Sequence, residues 1–248
     1  MQSIVLPEPA RHIWPRIQLI LEGIASFLDS SVVELFSLGG GTMLASRWAH
    51  RKSTDIDILA QKGSGIRELL EEDYLKDFVN LCVISGASRV EFLPGTMTVT
   101  VQFPEGKWDL TEADPFIKAE ETILMVDGVP VKTLSIAQIL SGKLVGRAFD
   151  LLTRDVFDLA VCSLIDPMEL NAALQRFHMS DVSITLFLED MREFTPKYRL
   201  EAPVKIIEPN PRWKKFMSSA PMVVANYIEA FVDGGHSHQE KDDLPPRH

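Results

Sequence analysis

The chain has 248 residues, of which 46% are hydrophobic and 24% charged, and its formal net charge is −10 at pH 7. These are the values of a globular protein that can bury a core. Because the chain is so acidic, it is not a general binder of polyanions, and any contact with nucleic acid must come from a local basic surface.

Cysteine usage and hydropathy point to the cytoplasm. Cys82 and Cys162 both lie in apolar runs, VNLCVIS and LAVCSLI, which indicates buried, reduced thiols. No stretch reaches the ~18 consecutive apolar residues of a membrane span. The N-terminus, MQSIVLPEPARHIW, lacks the basic-then-apolar pattern of a signal peptide. We therefore expect a cytoplasmic protein with no membrane partner.

The first half of the chain alternates helical and strand patterns. Helical spacing of apolar residues predicts helices over 12–28 and 66–81, and the run TMLASRWAH predicts a short helix between them. VVELFSL, residues 32–38, is short, apolar and β-rich, and it predicts a buried strand. DIDILA, residues 55–60, predicts a second strand. Four β-prone segments follow, separated by turn residues: SRVEFL, TMTVTVQF, KWDL and ETILMVDGVPVKTL.

From Ser135 onward the pattern becomes helical. Five segments have helical spacing: SIAQILSGKLVGRAF, TRDVFDLAVCSLI, MELNAALQRFHM, DVSITLFLEDMREF and PRWKKFMSSAPMVVANYIEAFV. The predicted fold class is therefore α+β, with a mixed sheet and helices in a first domain, 1–134, and an all-α second domain, 135–233. Residues 234–248 are polar and predict a flexible tail.

One stretch of the first domain, GGGTMLASRWAHRKSTDIDIL at residues 39–59, combines two features that suit nucleotide chemistry. Asp55 and Asp57 are two residues apart on a strand, so both project from one face. Two carboxylates so close repel each other unless a cation lies between them, and hard divalent cations prefer such oxygen ligands. Alone, such a D-x-D pair usually marks only the end of a strand.

The glycines supply the second feature. A strand–glycine–helix turn exposes backbone N–H groups at a helix N-terminus, where a phosphate is favoured. Gly40 and Gly41 let a phosphate approach the backbone, and Thr42 adds a hydroxyl donor. Glycines alone usually mark a turn, but a phosphate turn followed by a D-x-D strand is far more specific, because both ends must converge on one triphosphate.

This stretch resembles the first motif of nucleotidyltransferases in the DNA polymerase β superfamily, and more closely that of the AbiEii/AbiGii toxin family. The matching residues occur in the family's order: Gly40, Gly41, Thr42, Arg47, His50, Arg51, Ser53, Asp55, Ile56 and Asp57. KWDLTEADPF resembles the family's later strand with a third aspartate. TLSIAQILSGKLVGRAFDLLTRDVFDL resembles its lysine-bearing helix and the R-D-x-x-D-L that follows.

The resemblance implies a nucleotidyltransferase-type mixed sheet and transfer of a nucleotidyl group from an NTP to an acceptor. Characterised relatives are toxins of toxin–antitoxin or abortive-infection systems, and some modify the 3′ end of tRNA. The implied partners are thus an NTP, an RNA acceptor such as tRNA, and a cognate antitoxin. The implied cofactor is Mg²⁺ or Mn²⁺, held by Asp55, Asp57 and a third carboxylate, which would activate the acceptor and stabilise the leaving pyrophosphate.

The third carboxylate has two candidates, both in short β-prone segments. Glu91 has the better strand around it, in SRVEFL. Asp109 has the better context, because it precedes a segment that leaves the sheet towards the helical half, as the family's third aspartate does. A shorter side chain also suits a rigid metal site. We therefore choose Asp109 over Glu91.

Basic and hydroxyl residues complete the predicted site. The resemblance assigns Lys143 to neutralising the triphosphate, with Arg147 one helical turn later on the same basic face. The same match places Arg47 and Ser53 with the nucleotide-binding residues, although Arg47 lies off the face of Thr42 and is expected to support the loop or the acidic strand. The alternative for Lys143 and Arg147 is that both are solvated surface residues with no role in binding.

The acidic residues after Lys143 have a structural interpretation. Arg154 and Asp158 are four residues apart on a predicted helix and can form an ion pair, and Asp155 lies beside them. We expect these three to be mainly architectural or to line the mouth of the site.

Two other functions remain open. A glycosyltransferase that uses D-x-D to hold a metal ion explains the aspartates but not the preceding glycine turn or the later lysine helix. A catalytically silent module that binds NTP or a partner protein is the second alternative, and loss of the third carboxylate would favour it.

Overall fold

The computed structural model describes the chain in six segments: residues 2–69, 72–113, 122–147, 151–176, 181–198 and 206–234. The chain divides into two compact units, Met1–Ile139 and Leu140–His248. The predicted flexible tail, 234–248, lies outside the described residues apart from Gly234. No helix in these segments is long and apolar enough to cross a membrane.

The first unit is built on a mixed sheet of eight strands in the order β1-β7-β8-β2-β3-β6-β5-β4. The strands are β1 Ser3–Ile4, β2 Phe36–Gly39, β3 Asp55–Ala60, β4 Arg89–Leu93, β5 Thr98–Phe103, β6 Gly106–Glu112, β7 Thr122–Val126 and β8 Val129–Thr133. β3 runs parallel to β6 and antiparallel to β2. A mixed sheet with helices, followed by a helical half, confirms the predicted fold class.

The described residues of the first unit contain five helices before the chain enters the second unit, and the longest, α1, packs against β6 and α5. They are α1 Ala10–Phe27, α2 Val32–Leu35, α3 Gly40–Trp48, α4 Ile66–Leu69 and α5 Glu72–Ile84, with a 3-10 turn at Pro94–Thr96. The core of α1 includes Ile13, Trp14 and Ile17, all almost fully buried. A sixth helix, α6 Ile136–Arg147, crosses from the first unit into the second.

The described part of the second unit is helical. It contains the C-terminal half of α6, then α7 Thr153–Ile165, α8 Pro167–Arg176, α9 Asp181–Tyr198, a 3-10 turn at Pro211–Trp213, α10 Lys214–Met217 and α11 Ala220–Asp233. α11 packs against both α7 and α9. Phe157, Phe187 and Val224, one from each of these three helices, are buried at 1% exposure or less and form part of its core.

The prediction of a strand over residues 32–38 is wrong in its first half. Val32–Leu35 is a helical turn, and only the following residues enter the sheet as β2. Ser31 accepts a hydrogen bond from the Glu34 backbone N–H, and the Glu34 carboxylate accepts one from the Ser31 backbone N–H. This capping box satisfies two backbone donors at once and overrides the β preference of the two valines.

Two further boundaries differ from the prediction. The helix expected over residues 211–232 is broken at Ser218 and Ser219, whose hydroxyls donate to the carbonyls of Lys215 and Phe216. Pro221 then lies in the first turn of α11, where its missing N–H costs nothing. The two-residue strand β1 was not predicted, because so short a segment has no recognisable alternation.

Candidate functional site

Four ionisable side chains lie together on one face of the central strands. In the parallel pair β3–β6, Asp55 is opposite Lys107, and Asp57 is opposite Asp109. Residues at even positions of these two strands point to the other face and are buried: Ile56, Ile58, Trp108 and Leu110. The alternation therefore presents three carboxylates and one ammonium on the half-exposed face.

The strand order separates the two candidates for the third carboxylate. Asp109 lies on the strand next to Asp57, whereas Glu91 lies opposite Thr100 on β5, which is in turn opposite Asp109. Three strand spacings of ~4.8 Å put the backbone of Glu91 roughly 14 Å from that of Asp57. Glu91 also forms an ion pair with Arg89 on its own strand. Asp109 is thus the candidate that the sheet brings beside Asp57.

The glycine turn meets the same pair of strands. β2 ends at Gly39, which is opposite Asp57, and α3 begins at the next residue. Gly40 has a φ of +68°, and a Cβ built there would lie 1.8 Å from Oδ2 of Asp57. Only glycine fits, both for its backbone conformation and because the Asp57 carboxylate occupies the space of a side chain. The first-turn N–H groups of α3 have no acceptor within the helix, so they are available to an anion near Asp57.

Thr42 and Ser53 join the turn to β3. Both are buried, and their hydroxyl oxygens lie 2.7 Å apart. The Thr42 hydroxyl also donates to the backbone carbonyl of Asp55. These contacts fix α3 against the start of β3, so the two hydroxyls hold the turn in place from inside.

The basic residues of the first motif lie in different environments. Arg47 is exposed on the last turn of α3, about 10 Å along the helix axis from Gly40. His50 is fully buried, with its ring edge-on to Trp48 at 5.4 Å between centroids. Arg51 is buried too, and its guanidinium donates to the carbonyl of Lys52 at 3.0 Å. His50 and Arg51 therefore shape the segment that leads into β3.

Lys107 is a member of the site that the sequence interpretation missed. Its Nζ lies 2.5 Å from Oδ2 of Asp109, and the Thr100 hydroxyl donates to Oδ1 of Asp109 at 2.6 Å. Burial by itself lowers the pKa of Lys107, but the hydrogen bond and charge of Asp109, with the charges of Asp55 and Asp57, outweigh it and raise that pKa. A signal was available, because Lys107 is two residues before Asp109 on a strand and so shares its face.

The donor set fits a hard divalent cation, but the side chains as they lie do not enclose one. Asp55, Asp57 and Asp109 supply the carboxylate oxygens that Mg²⁺ and Mn²⁺ prefer. Among the described residues, however, no three Asp, Glu, His or Cys side chains are close enough to hold a metal ion. Both oxygens of Asp109 already accept from Lys107 and Thr100. Binding of a cation to all three carboxylates thus requires side-chain rotation within this face.

The second unit contains another lysine–aspartate cluster. Lys143 lies on α6, with its Nζ 2.5 Å from Oδ1 of Asp155 and 3.2 Å from Oδ2 of Asp158. Arg147 forms an ion pair with the other oxygen of Asp155, which also accepts the Leu152 backbone N–H at 3.1 Å. Both aspartates are completely buried, and Lys143 is 12% exposed.

This arrangement gives Lys143 a structural role. Removal of Lys143 would leave two buried carboxylates without their ammonium. Burial by itself raises the pKa of Asp155, yet the Lys143 charge and hydrogen bond and the Arg147 charge outweigh it and lower that pKa. Asp155 is therefore held ionised, and the expectation that it is mainly architectural agrees with this geometry.

Comparisons with known proteins identify a sequence family and a fold. The sequence model of one family, described as nucleotidyl transferase AbiEii toxin of type IV toxin–antitoxin systems, matches residues 24–233. No curated protein sequence matches the chain significantly.

Three solved structures illustrate the structural similarity. A candidate nucleotidyltransferase from Helicobacter pylori has 14% identity and a TM-score of 0.50, over 95% of this chain and 100% of that one. JHP933 from Helicobacter pylori has 16% identity and a TM-score of 0.49, over 94% and 97% of the two chains. An antigenic nucleotidyltransferase-like protein from Paracoccidioides brasiliensis has 12% identity and a TM-score of 0.39, over 82% and 95%. At 14% identity, the first of these matches supports a similar fold and nothing further.

Proposed function

Since the chain belongs to the AbiEii family of nucleotidyltransferase toxins, which confirms the resemblance seen in the sequence, we propose that it moves a nucleotidyl group from an NTP to an acceptor hydroxyl. The observation that carries the proposal is the register of β3 and β6, which puts Asp57 beside Asp109 and next to the glycine turn. In this transfer the acceptor oxygen bonds to the α-phosphorus, and pyrophosphate leaves.

The carboxylates form the cation side of the proposed site. Asp55 and Asp57 would hold a divalent cation on the nucleotide side, and Asp109 would complete the ligand set on the acceptor side. When bound, Mg²⁺ or Mn²⁺ supplies the positive charge that activates the acceptor hydroxyl and stabilises the leaving pyrophosphate. The donor chemistry of the three carboxylates and their common face on adjacent strands support this assignment.

The glycine turn forms the proposed phosphate side. The N–H groups of Gly40 and Gly41 in the first turn of α3 donate to phosphate oxygens, and the helix dipole favours the negative charge there. Thr42 and Ser53 position this turn from inside rather than presenting their hydroxyls to the nucleotide, because both are buried and in contact. Arg47, exposed on the far turn of α3, acts at most on distal parts of a bound ligand.

Lys143 and Arg147 remain proposed triphosphate-binding residues on the family resemblance. Within their own unit, their two positive charges face the two negative charges of Asp155 and Asp158. Positive charge already balanced in this way attracts a triphosphate less than free charge does. The geometry of the second unit therefore supports a structural role for Lys143 in addition to the proposed one.

The acceptor that we propose is the 3′ end of an RNA such as tRNA. The net charge of −10 disfavours long duplexes and suits a short single-stranded end in a local pocket. The family also implies that a cognate antitoxin is a partner. A second candidate function, nucleotide or partner binding without catalysis, is favoured by the two hydrogen bonds that already occupy Asp109.

The proposal is tested by incubating the protein with each α-labelled NTP, Mg²⁺ or Mn²⁺, and total RNA with added tRNA. Label in RNA supports the proposed function and identifies its acceptor. Label in protein keeps nucleotidyl transfer but replaces the acceptor. Label in a sugar product indicates the glycosyltransferase alternative. NTP binding with no labelled product supports the silent module. An Asp57→Asn protein in parallel distinguishes this site from a contaminating activity.

A further inference from the structure

The Lys107–Asp109 pair lies within the row of residues to which the proposed function assigns cation binding. Lys107 donates to Oδ2 of Asp109, and Thr100 donates to Oδ1. Lys107 is also opposite Asp55 in the strand register. The ammonium therefore neutralises part of the charge of the carboxylates, and it occupies one of the two Asp109 oxygens to which a cation could bind.

We propose that Lys107 is a positioning residue that competes with a divalent cation for the Asp109 carboxylate, holding Asp109 in place until the cation displaces the ammonium. The inference rests on the proposed function, because it takes Asp109 as a ligand of the cation that this function uses.

Competition follows from the geometry of Asp109. A cation and an ammonium that share one carboxylate oxygen repel each other at close range. Thr100 can stay on Oδ1, since a hydroxyl oxygen carries no net charge. Lys107 can leave at small cost, because its side chain is long and 36% exposed, and partly exposed ion pairs contribute little to stability. The departing ammonium also takes one positive charge away from a face that carries three carboxylates, which leaves a more negative site for the cation.

Lys132 provides a matched control on the same sheet. It is opposite Ser37 on β2, and Ser37 is two residues before Gly39, which is opposite Asp57. Lys132 thus shares the face of Asp57, about 12 Å from it by strand and residue spacings. Its replacement by Met removes the same charge from the same face without touching Asp109.

The experiment is a titration of each protein with Mn²⁺ alone, in which electron paramagnetic resonance measures the concentration of free Mn²⁺. Thermal melting first verifies that each variant is folded. Lys107→Met should tighten Mn²⁺ binding about tenfold, the scale of one close charge-pair coupling. Lys107→Gln should do the same, which covers the case of a Met variant that does not fold. Lys107→Arg should stay near the wild-type affinity, and Lys132→Met should change it less than about threefold.

A double-mutant cycle with Asp109→Asn separates competition from a general field effect. In the Asp109→Asn background, Lys107→Met should no longer tighten binding. The proposal is overturned by unchanged or weaker binding in Lys107→Met and Lys107→Gln, by equal tightening in Lys132→Met, or by tightening that persists without the Asp109 carboxylate. Failure of the proposed function gives a different result. If the Lys107 variants show the expected gain in Mn²⁺ affinity but the wild-type protein transfers no nucleotide, the proposed function is contradicted and the competition between Lys107 and the cation is still supported.

Discussion

Each unit of the molecule contains a lysine whose Nζ lies 2.5 Å from an aspartate oxygen, yet the two pairs differ in burial. In the sheet, Lys107 is 36% exposed and Asp109 17% exposed. In the helical unit, Lys143 is 12% exposed and Asp155 is completely buried. The same pair of charges therefore has two consequences, because burial sets the cost of separating it.

The partly exposed pair is exchangeable, whereas the buried pair is structural. Water can solvate Lys107 and Asp109 if they separate, so another ligand can take the place of either one. Separation of Lys143 from Asp155 and Asp158 would leave uncompensated charge inside the helical unit. The comparison therefore gives the Lys107–Asp109 pair a role in ligand exchange and the Lys143–Asp155 pair a role in stability. Variants of each pair can test these roles.

Asp57 should be the most sensitive position in the proposed site. Asp57→Asn keeps the shape of the side chain but removes the charge that faces both Asp109 and the glycine turn. We expect nucleotidyl transfer to fall by roughly 10³-fold, the scale of losing a principal electrostatic element. The melting temperature should stay close to that of the wild type. Transfer at the wild-type rate by this variant would remove β3 from the active site.

The stability of the two lysine variants should differ strongly. Lys143→Met should lower the free energy of unfolding by about 3–5 kcal/mol, since it breaks a buried ion-pair cluster on one side only. Lys107→Met should lower it by no more than about 1 kcal/mol. Denaturant unfolding of both variants measures the difference, and equal losses would contradict the distinction drawn from burial.

The glycine turn offers a comparison between two glycines of similar backbone conformation. Gly40 and Gly63 have φ of +68° and +77°, but only at Gly40 would a Cβ meet another residue, the Asp57 carboxylate. Alanine at either position should cost about 1 kcal/mol of stability through its left-handed backbone. Gly40→Ala should in addition reduce transfer about 100-fold by displacing Asp57. If Gly63→Ala reduces transfer as much, the loss reflects backbone strain and not the contact.

The pH dependence of stability should reveal the buried pair. Since the pKa of Asp155 is lowered in the folded protein, its contribution is present above the unfolded value of ~3.9 and is lost as the pH falls through the folded value. Protonated Asp155 no longer needs Lys143. The difference in melting temperature between the wild type and Lys143→Met should therefore begin to shrink below about pH 3.9 and shrink further as the pH falls through the lowered pKa of Asp155. A constant difference would mean that Lys143 acts through packing alone.

Local pattern predicts much of this structure. The alternation in DIDILA predicts β3 with its observed bounds, and TRDVFDLAVCSLI predicts α7 with its observed bounds. The common face of Asp55 and Asp57 needs only the two-residue period of a strand. The helix at Val32–Leu35 was missed because a hydrogen-bonded cap, and not the residues inside the turn, determines it.

Strand order could not be obtained from local pattern. Along the chain Glu91 has the better strand around it, but Asp109 is the one beside Asp57, because β6 pairs with β3 while β4 is at the edge of the sheet. The partners of Lys143 were missed for a similar reason. Asp155 and Asp158 lie three residues apart on α7 and both contact Lys143 of α6, a pairing between two helices that the spacing along one helix does not reveal.

The central claim, that the row from Asp57 to Asp109 performs nucleotidyl transfer, is tested most directly by comparing Asp109→Asn with Glu91→Gln. Each change neutralises one carboxylate of the same sheet face, adjacent to Asp57 in one case and three strands away in the other. The rate of incorporation of α-labelled nucleotide is measured alongside binding of the same NTP. We expect Asp109→Asn to abolish incorporation while NTP binding largely survives through Asp55 and Asp57, and Glu91→Gln to transfer at the wild-type rate. Loss of incorporation in Glu91→Gln with full activity in Asp109→Asn would contradict the account.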